Sequence, residues 1–128
     1  EVNDFTSATL SSETLLSDLE VDSKLIPTGR LLPCSGKYDF SRLRPVEERY
    51  DDAFVLAGTH AVTFRNAGYT LELHTDFPAV QVYNGHADPP AMALEPEFFP
   101  DSPNHAEFPT IALYPGEKFR RWAEYRFF

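Results

Sequence analysis

The sequence predicts an all-β domain, and three observations carry that prediction. The 128-residue chain is rich in aromatic residues and proline (Phe 11, Tyr 6, Pro 11) and shows no long helical periodicity. Apolar and polar residues alternate with the two-residue period of a strand at 62–65 and again at 69–74. Turn signals recur at short intervals between the apolar runs. Roughly eight short strands at this spacing imply a sandwich or a barrel. The length is enough for one domain with its own core, and a hydrophobic content of 42% excludes a disordered chain.

Residues 1–14 are polar, with repeated Ser and Thr, and read as a loop or a loose edge. Thr14–Val21 admits a helical turn or a strand, and the short strands downstream favour the strand. Pro27-Thr28-Gly29 reads as a turn, and Leu31-Leu32-Pro33 as a short strand closed by proline. Ser35-Gly36 turns the chain before Lys37-Tyr38-Asp39-Phe40. The charged run 41–49 reads as a surface connection with room for one helical turn. Val62 and Phe64 share a face, and Asn66-Ala67-Gly68 is a hairpin turn. Beyond it Tyr69, Leu71 and Leu73 face opposite to Thr70, Glu72 and His74. Further strands are expected at Ala79–Tyr83, Ala91–Glu95, Ile111–Tyr114 and Phe119–Phe127. The last would set Phe119, Ala123, Tyr125 and Phe127 in one row.

A net charge of −9 argues against nucleic acid and anionic membrane surfaces as partners. The lone Cys34 excludes an intrachain disulfide and favours a reducing compartment, hence a cytoplasmic location. No apolar run is long enough to span a bilayer. The chain starts at Glu1 with no basic-then-apolar leader, so it is expected to have been trimmed from something longer.

The chain is organised around Ala93-Leu94-Glu95-Pro96-Glu97-Phe98-Phe99-Pro100-Asp101-Ser102-Pro103-Asn104. An apolar strand runs straight into Glu95, and Pro96 is expected to end regular pairing. A carboxylate held where a rigid strand meets a stiff loop can serve as a general base, bind a sugar hydroxyl or a cation, or form a surface salt bridge. Three other polar groupings sit at strand ends: Asp51-Asp52 before an apolar strand, Gln81 within Val80-Gln81-Val82-Tyr83, and the loop Pro100–Asn104. Gln81 interrupts an apolar strand, so it faces a polar cleft or needs a buried partner. His60, His74, His86 and His105 have no Cys or His partner at short spacing, so no metal site is expected. Nothing in the sequence calls for a cofactor, since nucleophile elbows, phosphate loops and paired cysteines do not occur.

Taken together these segments resemble the C-terminal half of the aldose 1-epimerase (galactose mutarotase) family. Five match in order: Leu25–Gly29, Tyr38–Phe40, Tyr50–Leu56, Val80–Gly85, and Leu94–Glu97 with Pro100-Asp101. Phe108-Pro109, Leu113 and Pro115-Gly116-Glu117 are also similar to that family's ending. The resemblance implies an antiparallel β-sandwich that forms part of a larger β-supersandwich. It implies interconversion of the α and β anomers of a free hexose such as galactose or glucose, with a small-molecule aldose as partner. In that reading Glu95 matches the general base that takes the anomeric hydroxyl proton. Asp51 and Gln81 match residues that hydrogen-bond sugar hydroxyls. Tyr83 and Phe54 offer apolar surface to the sugar ring, or else belong to the core.

The family's two catalytic histidines lie in its N-terminal half, which this chain lacks, and Asp52-Ala53 stands where many members have His-Asn. The missing half is thus an expected partner, and the 128 residues alone are not expected to be a self-sufficient enzyme. Two alternatives stay open: a non-catalytic carbohydrate-binding module, and an epimerase of hexose 6-phosphates. The second would use arginines around the site, and Arg42, Arg44, Arg49, Arg65, Arg120 and Arg121 do not cluster near Glu95 in sequence.

Overall fold

The computed structural model describes residues 8–12, 14–46, 48–85 and 91–128. These form ten strands and two 3₁₀ turns, with no α-helix among the described residues. The strands are β1 (Thr9–Ser11), β2 (Leu15–Val21), β3 (Pro27–Pro33), β4 (Arg44–Pro45), β5 (Asp51–Leu56), β6 (His60–Asn66), β7 (Tyr69–Thr75), β8 (Ala79–Tyr83), β9 (Ala93–Glu97) and β10 (Ala123–Phe127). They pair into two five-stranded sheets, ordered β10-β7-β6-β1-β4 and β3-β2-β5-β8-β9. Every pairing is antiparallel. The all-β expectation is met, as an antiparallel sandwich.

The main core lies between the sheets. Leu10, Val62, Phe64 and Leu73 from the first sheet meet Phe54, Val80, Val82 and Leu94 from the second. Phe40 and Tyr50 close it, their rings 5.4 Å apart, and Phe40 stands edge-on to Phe54 at 5.7 Å. Tyr125 reaches from β10 to donate its hydroxyl to the Leu94 carbonyl of β9 at 2.8 Å, tying the two sheets together. A second, smaller cluster forms on the far face of the second sheet. There Leu19, Ala53 and Ala79 pack under Phe99 and Phe108 from the loop after β9. His105 holds that loop down by stacking on Phe108 and bonding the Pro27 carbonyl at 3.2 Å.

Several local expectations are corrected. Residues 9–11 are not a loose edge: β1 lies between β6 and β4, and Ala8 and Leu10 are buried. The rest of that segment, 1–7 and 13, lies outside the described residues. Pro27-Thr28-Gly29 belongs to β3, and the turn comes earlier, where the Asp22 carboxylate accepts from the Lys24 and Ile26 amides at 2.7 and 3.1 Å. Leu25 adopts a left-handed φ of 62° there. Residues 41–49 contain a two-residue strand rather than a helical turn. Ile111–Tyr114 is irregular, because Pro109 and Pro115 bracket it and neither can donate to a ladder. The last strand starts at Ala123, so Phe119 falls outside the row of Ala123, Tyr125 and Phe127.

Asp18 is a carboxylate inside this framework. It pairs with Phe54 across β5, is 6% exposed, and one of its oxygens has no hydrogen-bond partner among the described residues. Burial, aided by the nearby Asp52 charge, pushes its pKa up to about 6. The folded chain therefore keeps a proton on Asp18 that the unfolded chain has lost, and stability falls as pH rises from the ordinary carboxylate value through about 6.

Two predictions follow from these placements. In denaturant titrations of the full-length protein, Leu10→Ala should cost about 2–5 kcal/mol, whereas Leu113→Ala, at a position 57% exposed, should cost less than about 0.5 kcal/mol. A reversed order would restore the loose-edge reading. Asp18→Asn should gain stability over the parent at about pH 7.5 relative to about pH 4. An equal difference at both pH values would contradict the buried-carboxylate account.

Candidate functional site

The far face of the second sheet collects the predicted polar residues. β8 pairs with β5 as Asp51↔Tyr83 and Ala53↔Gln81, and with β9 as Gln81↔Glu95 and Tyr83↔Ala93. Residues opposite one another in an antiparallel pair share a face. Asp51, Gln81, Tyr83 and Glu95 therefore all point away from the main core, although 44 positions separate the first from the last (95 against 51). Gln81 Nε2 donates to Asp51 Oδ1 at 2.8 Å, which answers the question of where that amide finds its partner. The same amide carries a carbonyl oxygen that can accept a hydrogen bond.

Asp51 borders two neighbouring cavities. One of about 90 Å³ is walled by Leu19, Val21, Leu25, Pro27, Ala53, Gln81 and Pro100. The other, of about 380 Å³, has Tyr83, Tyr50, Asp52, Lys37 and Arg49 in its wall. Tyr83 folds back over Gly85: a Cβ there would lie 1.8 Å from the Tyr83 hydroxyl, so the ring's position depends on that residue being glycine. A larger groove of about 630 Å³ runs along 102–112; it takes in Ser102–Asn104 of the polar loop but none of Asp51, Phe54, Gln81, Tyr83 and Glu95.

Glu95 lies one row further out, exposed on the edge strand. Pairing does not stop at Pro96 as the sequence suggested, since Val80↔Pro96 and Ala79↔Glu97 continue the ladder. β9 is the sheet's edge, where a missing donor is tolerated. Continued pairing puts Glu97 on the same face as Glu95, beside the Phe99–Phe108 cluster. One Glu97 oxygen is buried without a hydrogen-bond partner among the described residues, and burial together with the Glu95 charge pushes its pKa up to about 7. Sequence reasoning passed over Glu97, although its i+2 spacing from Glu95 was a signal.

Phe54 does not join the site. It alternates to the inner face, is 0% exposed, and packs against Phe40 and Tyr38 at 5.7 and 5.5 Å. Of the two roles open to it, the core is the one it fills. Asp52 also turns inward and accepts the Tyr38 hydroxyl at 2.9 Å. Tertiary structure brings Lys37 beside Asp51 and its sequence neighbour Arg49, a meeting hidden in the sequence. The Lys37 ammonium bonds the Arg49 carbonyl at 3.3 Å and sits over the Tyr38 ring. Of the histidines, His105 is engaged at both nitrogens by Glu107 and Pro27, while His60 and His74 lie on the outer face of the other sheet. His86 falls outside the described residues.

No helix among the described residues is long and apolar enough to cross a membrane. The arrangement offers a carboxylate and an amide in register, a second carboxylate bonded to that amide, and an exposed aromatic ring.

Comparison with known proteins gives this geometry a context. The family model for aldose 1-epimerase matches residues 1–126. Galactose mutarotase of Homo sapiens is 29% identical, with 85% of this chain and 40% of that protein covered. Aldose 1-epimerase of Escherichia coli (strain K12) is 40% identical over a shorter stretch, 44% of this chain and 21% of that protein. The crystal structure of a GalM/aldose epimerase homologue from C. elegans superposes with a TM-score of 0.87 at 23% identity, covering 98% of this chain and 47% of that one. The chain thus spans less than half the length of these relatives. A family match over nearly the whole chain, on a sandwich of the same fold, establishes that the chain belongs to the aldose 1-epimerase family.

Proposed function

We propose that this chain supplies the base-bearing part of a site that interconverts the α and β anomers of a free hexose such as galactose or glucose. The observation that carries the reading is the cross-strand pair Gln81↔Glu95, with Asp51 bonded to Gln81 on the same face.

In this reading Asp51 and Gln81 bind sugar hydroxyls, and Tyr83 lies against the apolar side of the ring. Glu95 accepts the proton of the anomeric hydroxyl. The O1–H electron pair then forms the C1=O1 double bond, the C1–O5 bond breaks, and O5 takes a proton from an acid. Rotation about C1–C2 and the reverse steps on the other face of the carbonyl deliver the other anomer. His60 and His74 lie on the other sheet and His105 is engaged at both nitrogens, and this reading assigns the proton for O5 to the part of the family fold that these 128 residues do not span. The exposed apolar side chains Phe119, Trp122, Tyr125, Phe127 and Phe128 form the surface that this further protein would cover.

Lys37 and Arg49 beside Asp51 favour a phosphorylated hexose. Asp51 and Asp52 line the same cavity and offset their charge, so a neutral sugar is the preferred substrate.

Glu95→Gln in the full-length protein should slow mutarotation of freshly dissolved α-glucose or α-galactose by ~10²–10⁴-fold in polarimetry while sugar binding persists. A rate within a few-fold of the parent would remove Glu95 as the base. Gln81→Leu should mainly raise KM, by about tenfold, because it removes a hydrogen bond and strands Asp51. A change confined to kcat would argue against a binding role.

A further inference from the structure

The outer face of the first sheet carries a cluster with no part in the sugar reading. His60 on β6 lies directly across from His74 on β7, and Glu72 is two residues before His74 on the same face. One donor atom from each of the three lies within 4.8 Å of the others. The two imidazoles are nearly parallel, 14° apart in plane and 4.6 Å between centres. His74 Nε2 and Glu72 Oε2 are 3.2 Å apart. That separation is close to the ~3.3 Å edge of a tetrahedron with metal–ligand bonds near 2.0–2.1 Å.

The cluster depends on a register shift. Extending the pairing of Val62 with Leu73 would set Ala61 against His74 and His60 against Thr75, whose residue is wholly buried. The bulge between His60 and Val62 brings His60 level with His74 instead. Bulges that re-aim one side chain in this way are common beside functional sites. Neighbouring charges leave the cluster available. Arg126, across from Glu72, is hydrogen-bonded to Glu124 at 2.7 and 3.0 Å, so this cation has a carboxylate outside the cluster. β7 lies between β6 and β10, which makes the scaffold interior and rigid, while exposed His60 leaves a path of entry.

We propose that His60, His74 and Glu72 form a binding site for a divalent transition metal of the zinc class. Two imidazoles and one carboxylate suit zinc and its neighbours better than magnesium or calcium, which take mainly oxygen ligands. Water fills the remaining position. The His60 bond to Thr63 Oγ1, now 2.9 Å, gives way to the metal, and the ion cross-links β6 to β7. The site lies on the opposite side of the sandwich from Gln81 and Glu95, so it is independent of the sugar chemistry.

The test is calorimetric titration of untagged, chelator-stripped full-length protein with zinc chloride, together with cobalt(II) absorption. One zinc per chain with Kd tighter than about 100 μM is expected, along with a rise in melting temperature when zinc is added. His60→Ala and His74→Ala should each weaken binding by more than about 30-fold, and Glu72→Gln by about tenfold. His105→Ala, on the other sheet's loop, should leave zinc affinity unchanged. Melting of the metal-free variants checks their folding, and His60→Ala, at an exposed position, carries the test if His74→Ala fails to fold. Binding weaker than about 100 μM in the parent, or unweakened binding in the folded histidine variants, overturns the site.

Discussion

The ladder β5–β8–β9 is the constraint on which the rest depends. Because it is antiparallel with a side-chain period of two, one register decides which residues share a face. It sends Phe54, Val80, Val82 and Leu94 into the main core, and Asp51, Gln81 and Glu95 to the opposite side. A slip of one residue along β8 would bury Gln81 and expose the valines on either side of it. Burial of those valines therefore holds the polar set in place, and the stability of the core and the geometry of the site rest on the same pairing.

The site face is not bare. Phe99 and Phe108, 5.1 Å apart, cover its lower part over Leu19, Ala53 and Ala79. His105 clamps the same loop, while Asp101 opens its 3₁₀ turn in the left-handed region with a φ of 60°. This second cluster makes a firm floor beside the small cavity at Asp51 and Gln81. It also desolvates Glu97 while leaving Glu95 exposed, so two carboxylates two residues apart on one strand meet different surroundings. Their proximity works through charge, because an ionised Glu95 opposes ionisation of Glu97.

Acidic residues shape the interior too. Asp18 is buried near Asp52, whose carboxylate accepts the Tyr38 hydroxyl. Burial and the same carboxylate hold the Tyr38 phenol well above its ordinary value, so it remains a donor. Burial, with Asp18 and Asp39 adding to it, raises the Cys34 thiol to about 11, which keeps the chain's one cysteine protonated and unreactive. The negative balance seen in the composition is in part a local arrangement around one end of β5, offset there by Lys37 and Arg49.

What the sequence by itself determined is the class of fold and the strands with clear alternation, and it singled out Asp51, Gln81 and Glu95 as polar groups at strand ends. Those signals are local: strand period, turn residues, and a polar residue breaking an apolar run. It could not reveal that Thr9–Ser11 is an interior strand, because three residues carry too little periodicity and their partners lie tens of positions away. Nor could it assign Phe54 to one face, since the face that becomes the core depends on which sheet arrives opposite. Glu97 was hidden by the assumption that Pro96 ends the strand, which an edge position makes unnecessary. The meeting of His60 with His74 needed a bulge as well as a hairpin, and an inserted residue leaves no mark in the two-residue period until the pairing itself is known.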